Sequence, residues 1–225
     1  MPPRIQRLFM PSTTSSSSFF TSRFSPAFLR RSLFSSSAAA TASTSNDDSD
    51  NNNSENNTTM TEKATFAAGC FWGVEKAFQK HYKDEYIKTR VGYIGGTDKN
   101  PTYHKVCTGI TNHAEALQID YTPNEKINYP ALVEFFYRMH DPTTLNSQGP
   151  DRGTQYRSAI FYHSPEQEEI AKRVTAEVQE KHYAGKKIVT QIASAGTWYD
   201  AEEYHQKYLD KNPYGYECPS HYLRW

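Results

Sequence analysis

The sequence predicts an α+β sandwich in which helices cover a mixed sheet. Between Lys63 and Leu209, segments with the two-residue alternation of strands and segments with the helical period follow one another without strict one-to-one order. Turn and cap residues fall between these segments, as Gly95-Gly96, Pro130 and Ser164-Pro165 do. At 225 residues, with 36% hydrophobic and 14% aromatic content, the chain can build one sizeable core plus a tail, and no apolar run approaches a membrane-spanning length.

Lys63 to Ala68 reads as a strand that runs into a Gly-Cys corner, and Val74, Ala77 and Phe78 recur at helical spacing as far as Tyr82. Tyr86 to Tyr93 reads as a second strand, followed by a loop through Asn100-Pro101-Thr102-Tyr103 to a short segment carrying Cys107. His113 to Tyr121 is a third strand and Ala131 to Met139 a helix, with Pro130 in its first turn. Arg157 to Tyr162 is a fourth strand. Ser164 and Gln167 then form a capping box for a helix reaching about Tyr183, whose inner stripe is Ile170, Val174 and Val178. Ile188 to Ala193 is a fifth strand and Ala201 to Leu209 a last helix, ahead of an irregular end marked by Pro and Gly. There is no internal repeat and no glycine-rich phosphate loop, so no nucleotide cofactor is expected.

Residues 1–45 hold five Arg, no Lys and no acid among many Ser, Thr and Ala, the composition of an organelle transit peptide, mitochondrial before plastid. A generic Ser-rich disordered terminus is the alternative. Residues 46–60 form a polar linker, and the folded domain spans 61–225. Met60 directly precedes it, so a second start there would yield a cytosolic form. Beyond Met60, 20 Lys and Arg meet 21 Asp and Glu, which gives no electrostatic case for nucleic acid or an anionic membrane as a partner. A monomer is expected.

Gly69-Cys70-Phe71-Trp72-Gly73 is the most informative stretch. It puts a thiol where a helix begins, and the partial positive charge there favours the thiolate. The flanking glycines allow close approach, and Phe71 and Trp72 offer an apolar wall. A buried structural cysteine is the competing reading. Alternation in the third strand sets His113 and Glu115 on one face with Leu117, Ile119 and Tyr121. A carboxyl there is either paired with a cation or desolvated into a proton donor. Tyr103 and Tyr156 stand in loops that read as functional, the second within Asp151-Arg152-Gly153-Thr154-Gln155-Tyr156-Arg157-Ser158. Cys70, Cys107 and Cys218 are too few and scattered for a disulfide framework, and Cys218 with His221 makes a lone C-x-x-H.

Together with Tyr204-His205-Gln206-Lys207-Tyr208-Leu209, these pieces occur in the order and spacing of one family, and from about Thr65 to Tyr222 the chain resembles the A-type peptide-methionine (S)-S-oxide reductases. The resemblance implies a two-layer α/β sandwich with a ferredoxin-like core. The implied activity is reduction of methionine S-sulfoxide, free or in oxidised proteins, with neither metal nor bound organic cofactor. By the same resemblance Cys70 is the nucleophile, Glu115 the acid, and Tyr103 and Tyr156 donors to the sulfoxide oxygen. Asp151 orients the surrounding network, while Phe71 and Trp72 enclose the substrate methyl, with Gly69 and His113 also at the substrate. The sulfenic acid left on Cys70 is resolved by Cys218 as a disulfide, which thioredoxin, or dithiothreitol in vitro, reduces. Cys107 is expected to be a packed thiol near Tyr103. Asn112 stands where many relatives have Gly, and Asn tolerates the left-handed backbone that turn requires. Two other classes compete: a cysteine hydrolase or acyltransferase, with Cys70 served by a histidine base, and a zinc-stabilised binding module using Cys218 and His221.

Overall fold

The computed structural model describes residues 60–83 and 85–225. The expected transit peptide and, apart from Met60, the polar linker lie outside the described residues.

The elements run β1 (Glu62–Ala68), α1 (Phe71–Tyr82), β2 (Ile87–Ile94), α2 (Tyr103–Cys107), β3 (Ala114–Tyr121), α3 (Tyr129–Met139), β4 (Ser147–Gln148), β5 (Asp151–Arg152), β6 (Ser158–Tyr162), α4 (Pro165–His182), β7 (Gln191–Ser194), β8 (Tyr199–Asp200) and α5 (Tyr208–Lys211). Six strands form one sheet in the order β7-β6-β1-β3-β2-β8, while β4 and β5 form a separate ribbon. Within the large sheet, β6-β1-β3-β2 is the antiparallel ferredoxin-like core expected of a β-α-β-β-α-β chain. Only β6 and β7 run parallel, and α4 crosses between them, so the sheet is mixed.

The apolar stripes of α1, α3 and α4 pack on one sheet face, where Phe66, Leu117, Ile119 and Tyr121 join Phe78, Leu132, Phe136 and Val174 in the main core. Phe66 stacks at 5.5 Å on Phe78 and at 5.2 Å on Phe136, tying β1 to two helices. The opposite face is lined by small residues, Ala67, Ala114, Ala116 and Ala159, with Ile94 and Phe161. The predicted alternation in β3 therefore holds, with Leu117 and Ile119 on the helix-covered side.

The Ser164 cap and the place of Pro130 fall as the sequence implies, and Asn128 adds a cap it did not single out. Ser164 accepts a bond from the Gln167 N–H and Asn128 one from Ala131, each with Pro in the first helical turn. Asn112 takes the left-handed turn, at φ 54°.

Two elements differ from expectation. In place of the strand from Ile188, the ladder begins at Gln191. The Ile188 N–H goes to Gln179 Oε1 at 2.8 Å and the Val189 N–H to the Pro142 carbonyl at 2.8 Å, so neither is free to pair. The helix expected over Ala201 to Leu209 breaks into a 3₁₀ turn (Glu203–His205) and α5. Gln206 bonds the backbone of Val91 from both ends of its amide, and the Lys207 N–H bonds Glu75 Oε2 at 2.8 Å with Lys207 left-handed at φ 51°. Bonds to α1 and β2 replace those that would have continued the helix.

Candidate active site

β1 delivers Cys70 to the start of α1. Gly69 turns the chain at φ +92°, and Cys70 is the N-cap residue. The glycines on either side are occupied by the protein itself. A Cβ on Gly69 would lie 2.6 Å from Gln148 Cβ, and one on Gly73 would lie 2.3 Å from His221 Nδ1.

Cys70 is only 7% exposed. Burial raises its pKa well above the ordinary thiol range and the Glu115 carboxylate raises it further; the Trp72 and Gly73 N–H groups pull it down, while Asp151 adds to the rise. The helix N-terminus thus favours the thiolate as the sequence implies, but burial and charge outweigh it, and the resting group is a neutral thiol.

Glu115, in β3, faces the core at 1% exposure, and its Oε2 accepts the Phe71 N–H at 3.2 Å. Burial dominates its pKa, offset by that N–H and reinforced by Asp151, so it is pushed up to about 8. Of the two readings left open by the sequence, desolvation holds: the partner is a backbone N–H, and the carboxyl carries its proton near neutrality.

Tyr103 opens α2, placed by the bond of its N–H to Glu202 Oε1 at 2.9 Å. Tyr156 closes a 3₁₀ turn (Thr154–Tyr156) whose Gln155 bonds the Cys107 carbonyl at 3.3 Å, which joins the two loops. Both phenols are half-buried, and burial raises both pKa values; Cys107, Glu115 and Cys70 add to each, so both remain O–H donors. Asp151 lies on β5 opposite Gln148, accepts the Tyr216 hydroxyl at 2.8 Å on Oδ1, and keeps Oδ2 buried without a partner.

Cys218 is buried at 1% exposure in the irregular C-terminal segment, and its Sγ lies 3.5 Å from the Gln148 carbonyl and 3.2 Å from Ser220 Oγ. It is a free thiol whose pKa burial raises and Ser220 lowers; Asp151 raises it through a hydrogen bond and charge, whereas on Cys70 Asp151 acts through charge alone. Cys107, expected to be packed, is exposed: α2 is a single short turn with Val106 as its buried residue. It keeps the expected relation to Tyr103, whose hydroxyl its thiol contacts.

The aromatic wall divides. Phe71 is fully buried against Tyr93 and His205. Trp72 is half-buried, stacks on Tyr208 at 3.9 Å and donates its indole N–H to His205 Nδ1 at 3.0 Å. His113 meets Tyr199 edge-on at 5.6 Å and closes on Gly96, so its contacts lie with β8 and the loop after β2.

Sequence reasoning assigned no role to Glu202 and His205. Glu202 also accepts the Tyr93 hydroxyl at 2.7 Å. One signal was available: a half-buried tryptophan needs an acceptor for its N–H. Among the described residues, no group of three or more His, Cys, Asp and Glu stands at metal-binding distances.

Known proteins resemble this chain over nearly the whole of the described domain. The profile described as peptide methionine sulfoxide reductase matches residues 62–223. A probable peptide methionine sulfoxide reductase of Schizosaccharomyces pombe is 59% identical over 165 residues, which cover 72% of this chain and 96% of that one. The crystal structure of Mxr1 from Saccharomyces cerevisiae in reduced form superposes with a TM-score of 0.69 at 47% identity, covering 73% of this chain and 93% of that one. Mxr1 in complex with Trx2 matches at a TM-score of 0.50 and 31% identity, covering 73% of this chain and 91% of that one. The chain belongs to the peptide methionine sulfoxide reductase family and is an oxidoreductase that reduces methionine sulfoxide.

Proposed function

We propose that this chain reduces the S epimer of methionine sulfoxide, in oxidised proteins or free, by oxygen transfer to Cys70. The observation that carries this reading is the buried Glu115 carboxyl, held by the N–H of the residue after Cys70 and with its pKa pushed up to about 8 by burial. Cys70 attacks the sulfoxide sulfur, forming an S–S bond, while Glu115 gives its proton to the sulfoxide oxygen and takes the thiol proton in return; the protonated oxygen then moves to the Cys70 sulfur as the S–S bond and the methionine S–O bond break. Tyr103 and Tyr156 donate hydrogen bonds to that oxygen as negative charge builds on it. Asp151 organises the surrounding network, and Trp72 supplies the apolar surface for the methyl group.

Two electrons pass from Cys70 to the methionine sulfur, and the oxygen passes to Cys70, leaving methionine and a sulfenic acid. The Cys218 thiol then displaces the hydroxyl, giving a Cys70–Cys218 disulfide and water. A dithiol protein of the thioredoxin class reduces that disulfide by exchange. The complex of Mxr1 with Trx2 supports this choice of reductant. A hydrolase would need an imidazole base, whereas the ionisable groups acting most strongly on Cys70 are the carboxyls of Glu115 and Asp151.

The Arg- and Ser-rich composition of residues 1–45 supports a mitochondrial address, with a plastid address left open, and Met60 supports a second, cytosolic form. N-terminal sequencing of the protein from each compartment tests this, and a single organellar species would remove the cytosolic form. The activity is tested by rate assays on separated sulfoxide epimers with thioredoxin or dithiothreitol. Turnover of the S epimer is expected, and activity on the R epimer alone would overturn the reading.

A further inference from the structure

Among the described residues, His221 fastens the C-terminal segment to the nucleophile's loop. Its Nε2 donates to the Ala68 carbonyl at 2.7 Å, two residues before Cys70. A carbonyl only accepts, so this bond fixes the proton on Nε2. The other nitrogen, Nδ1, is sequestered without a partner against Gly73, where a Cβ would approach it to 2.3 Å. The imidazole thus fills the space that Gly73 leaves open on the first turn of α1.

His221 is also tied to Cys218. The His221 N–H bonds the Cys218 carbonyl at 3.0 Å, closing a four-residue turn with Pro219 at its second position. Such a turn holds its end residues within about 7 Å, and Pro there is preset for it. Ser220, inside the turn, donates to Gln148 Oε1 at 2.8 Å, and Gln148 is the residue that presses on Gly69. Beyond the turn, Arg138 holds the Trp225 carbonyl at 2.9 Å and 2.6 Å, and His182 stacks on the Trp225 ring at 3.8 Å, so the far end of the segment is fastened as well.

We propose that His221 is a positioning residue for the disulfide-forming step: by anchoring to Ala68 and Gly73, it is the pivot that holds the Cys218 thiol one turn from the loop that carries Cys70. The inference rests on the assignment of Cys218 as the resolving thiol. With the pivot in place, Cys218 meets the Cys70 sulfenic acid at a high effective concentration; without it, that segment loses its tie to the Cys70 loop and the effective concentration falls. The sulfoxide-reducing step does not draw on the pivot.

The experiment mixes the reduced full-length enzyme with one equivalent of methionine sulfoxide and follows methionine release, which consumes the first thiol, separately from loss of the second free thiol, which marks disulfide formation and is the thiol loss meant below. In His221→Ala and His221→Phe the first methionine is expected at close to the wild-type rate, which also reports an intact fold, while thiol loss slows roughly tenfold or more. His221→Gln, whose amide can place a donor near the Nε2 position, is expected to recover most of that loss. Thiol loss at the wild-type rate or faster in both His221→Ala and His221→Phe would overturn the proposal, as would methionine release slowed to the same extent as thiol loss. Cys218→Ser run alongside separates the two ideas. If that variant still loses both thiols, the assignment of Cys218 fails first and His221 has nothing to position.

Discussion

The backbone N–H of Phe71 donates to Glu115 Oε2 at 3.2 Å, so the residue that follows the nucleophile holds the acid. A single contact between the first residue of α1 and the middle of the sheet fixes the distance between the two reacting groups. It also moderates the rise in the Glu115 pKa that burial produces.

Glu115→Gln should slow single-turnover methionine release by about a hundredfold or more, because the amide keeps the shape and can still accept the Phe71 N–H but cannot deliver a proton. In the wild type, the same rate should hold at low pH and fall as pH rises through about 8, where Glu115 loses its proton. Rapid-quench measurement of methionine checks both, and an unchanged rate in the variant would remove Glu115 as the acid.

Stability should follow the same group. The folded-state pKa of Glu115 is raised above its ordinary 4.5 to about 8, so its contribution is fully present below pH 4.5 and is lost as pH rises through 8. The slope is about 1.4 kcal/mol per pH unit at most. Denaturant unfolding at a series of pH values should therefore show Glu115→Gln gaining on the wild type between those limits, and parallel curves would contradict the desolvated carboxyl.

Cys70→Ser should abolish turnover, since its hydroxyl cannot accept the oxygen as a sulfenic acid. Cys218→Ser should release one methionine per enzyme and then stop when thioredoxin is the reductant. Counting methionine per active site distinguishes the two variants, and sustained thioredoxin-driven cycling in Cys218→Ser would show that another thiol resolves the intermediate.

Gly69→Ala should cost about 1–3 kcal/mol of stability, because the new methyl would need a left-handed backbone and the space held by Gln148. Chemical denaturation checks this, and a loss below a few tenths of a kcal/mol would mean that the Gln148 contact yields easily.

Most of the fold was legible because its core strands and helices are long enough to show their period. β3 announced its two faces through Leu117 and Ile119, and α4 its start through Ser164 and Gln167. The two-residue strands β4, β5 and β8 are too short to show any period, and each exists only because a partner strand fixes it. The break in the last predicted helix came from Val91 and Glu75, more than 100 residues away in sequence, which bond Gln206 and Lys207.

The sequence by itself determined the chemical inventory: a thiol at a helix start, a carboxyl on an apolar strand face, phenols in two loops and a second thiol near the C-terminus. Only the tertiary structure decided their states and relations. It made Cys70 a buried neutral thiol, because desolvation outweighs the helix N-terminus, and pushed the Glu115 pKa up to about 8, because burial outweighs the Phe71 N–H that opposes it. It also gave the glycines of the pentapeptide their occupants, Gln148 and His221. Burial and contact arise between segments distant in the chain, and no local pattern records them.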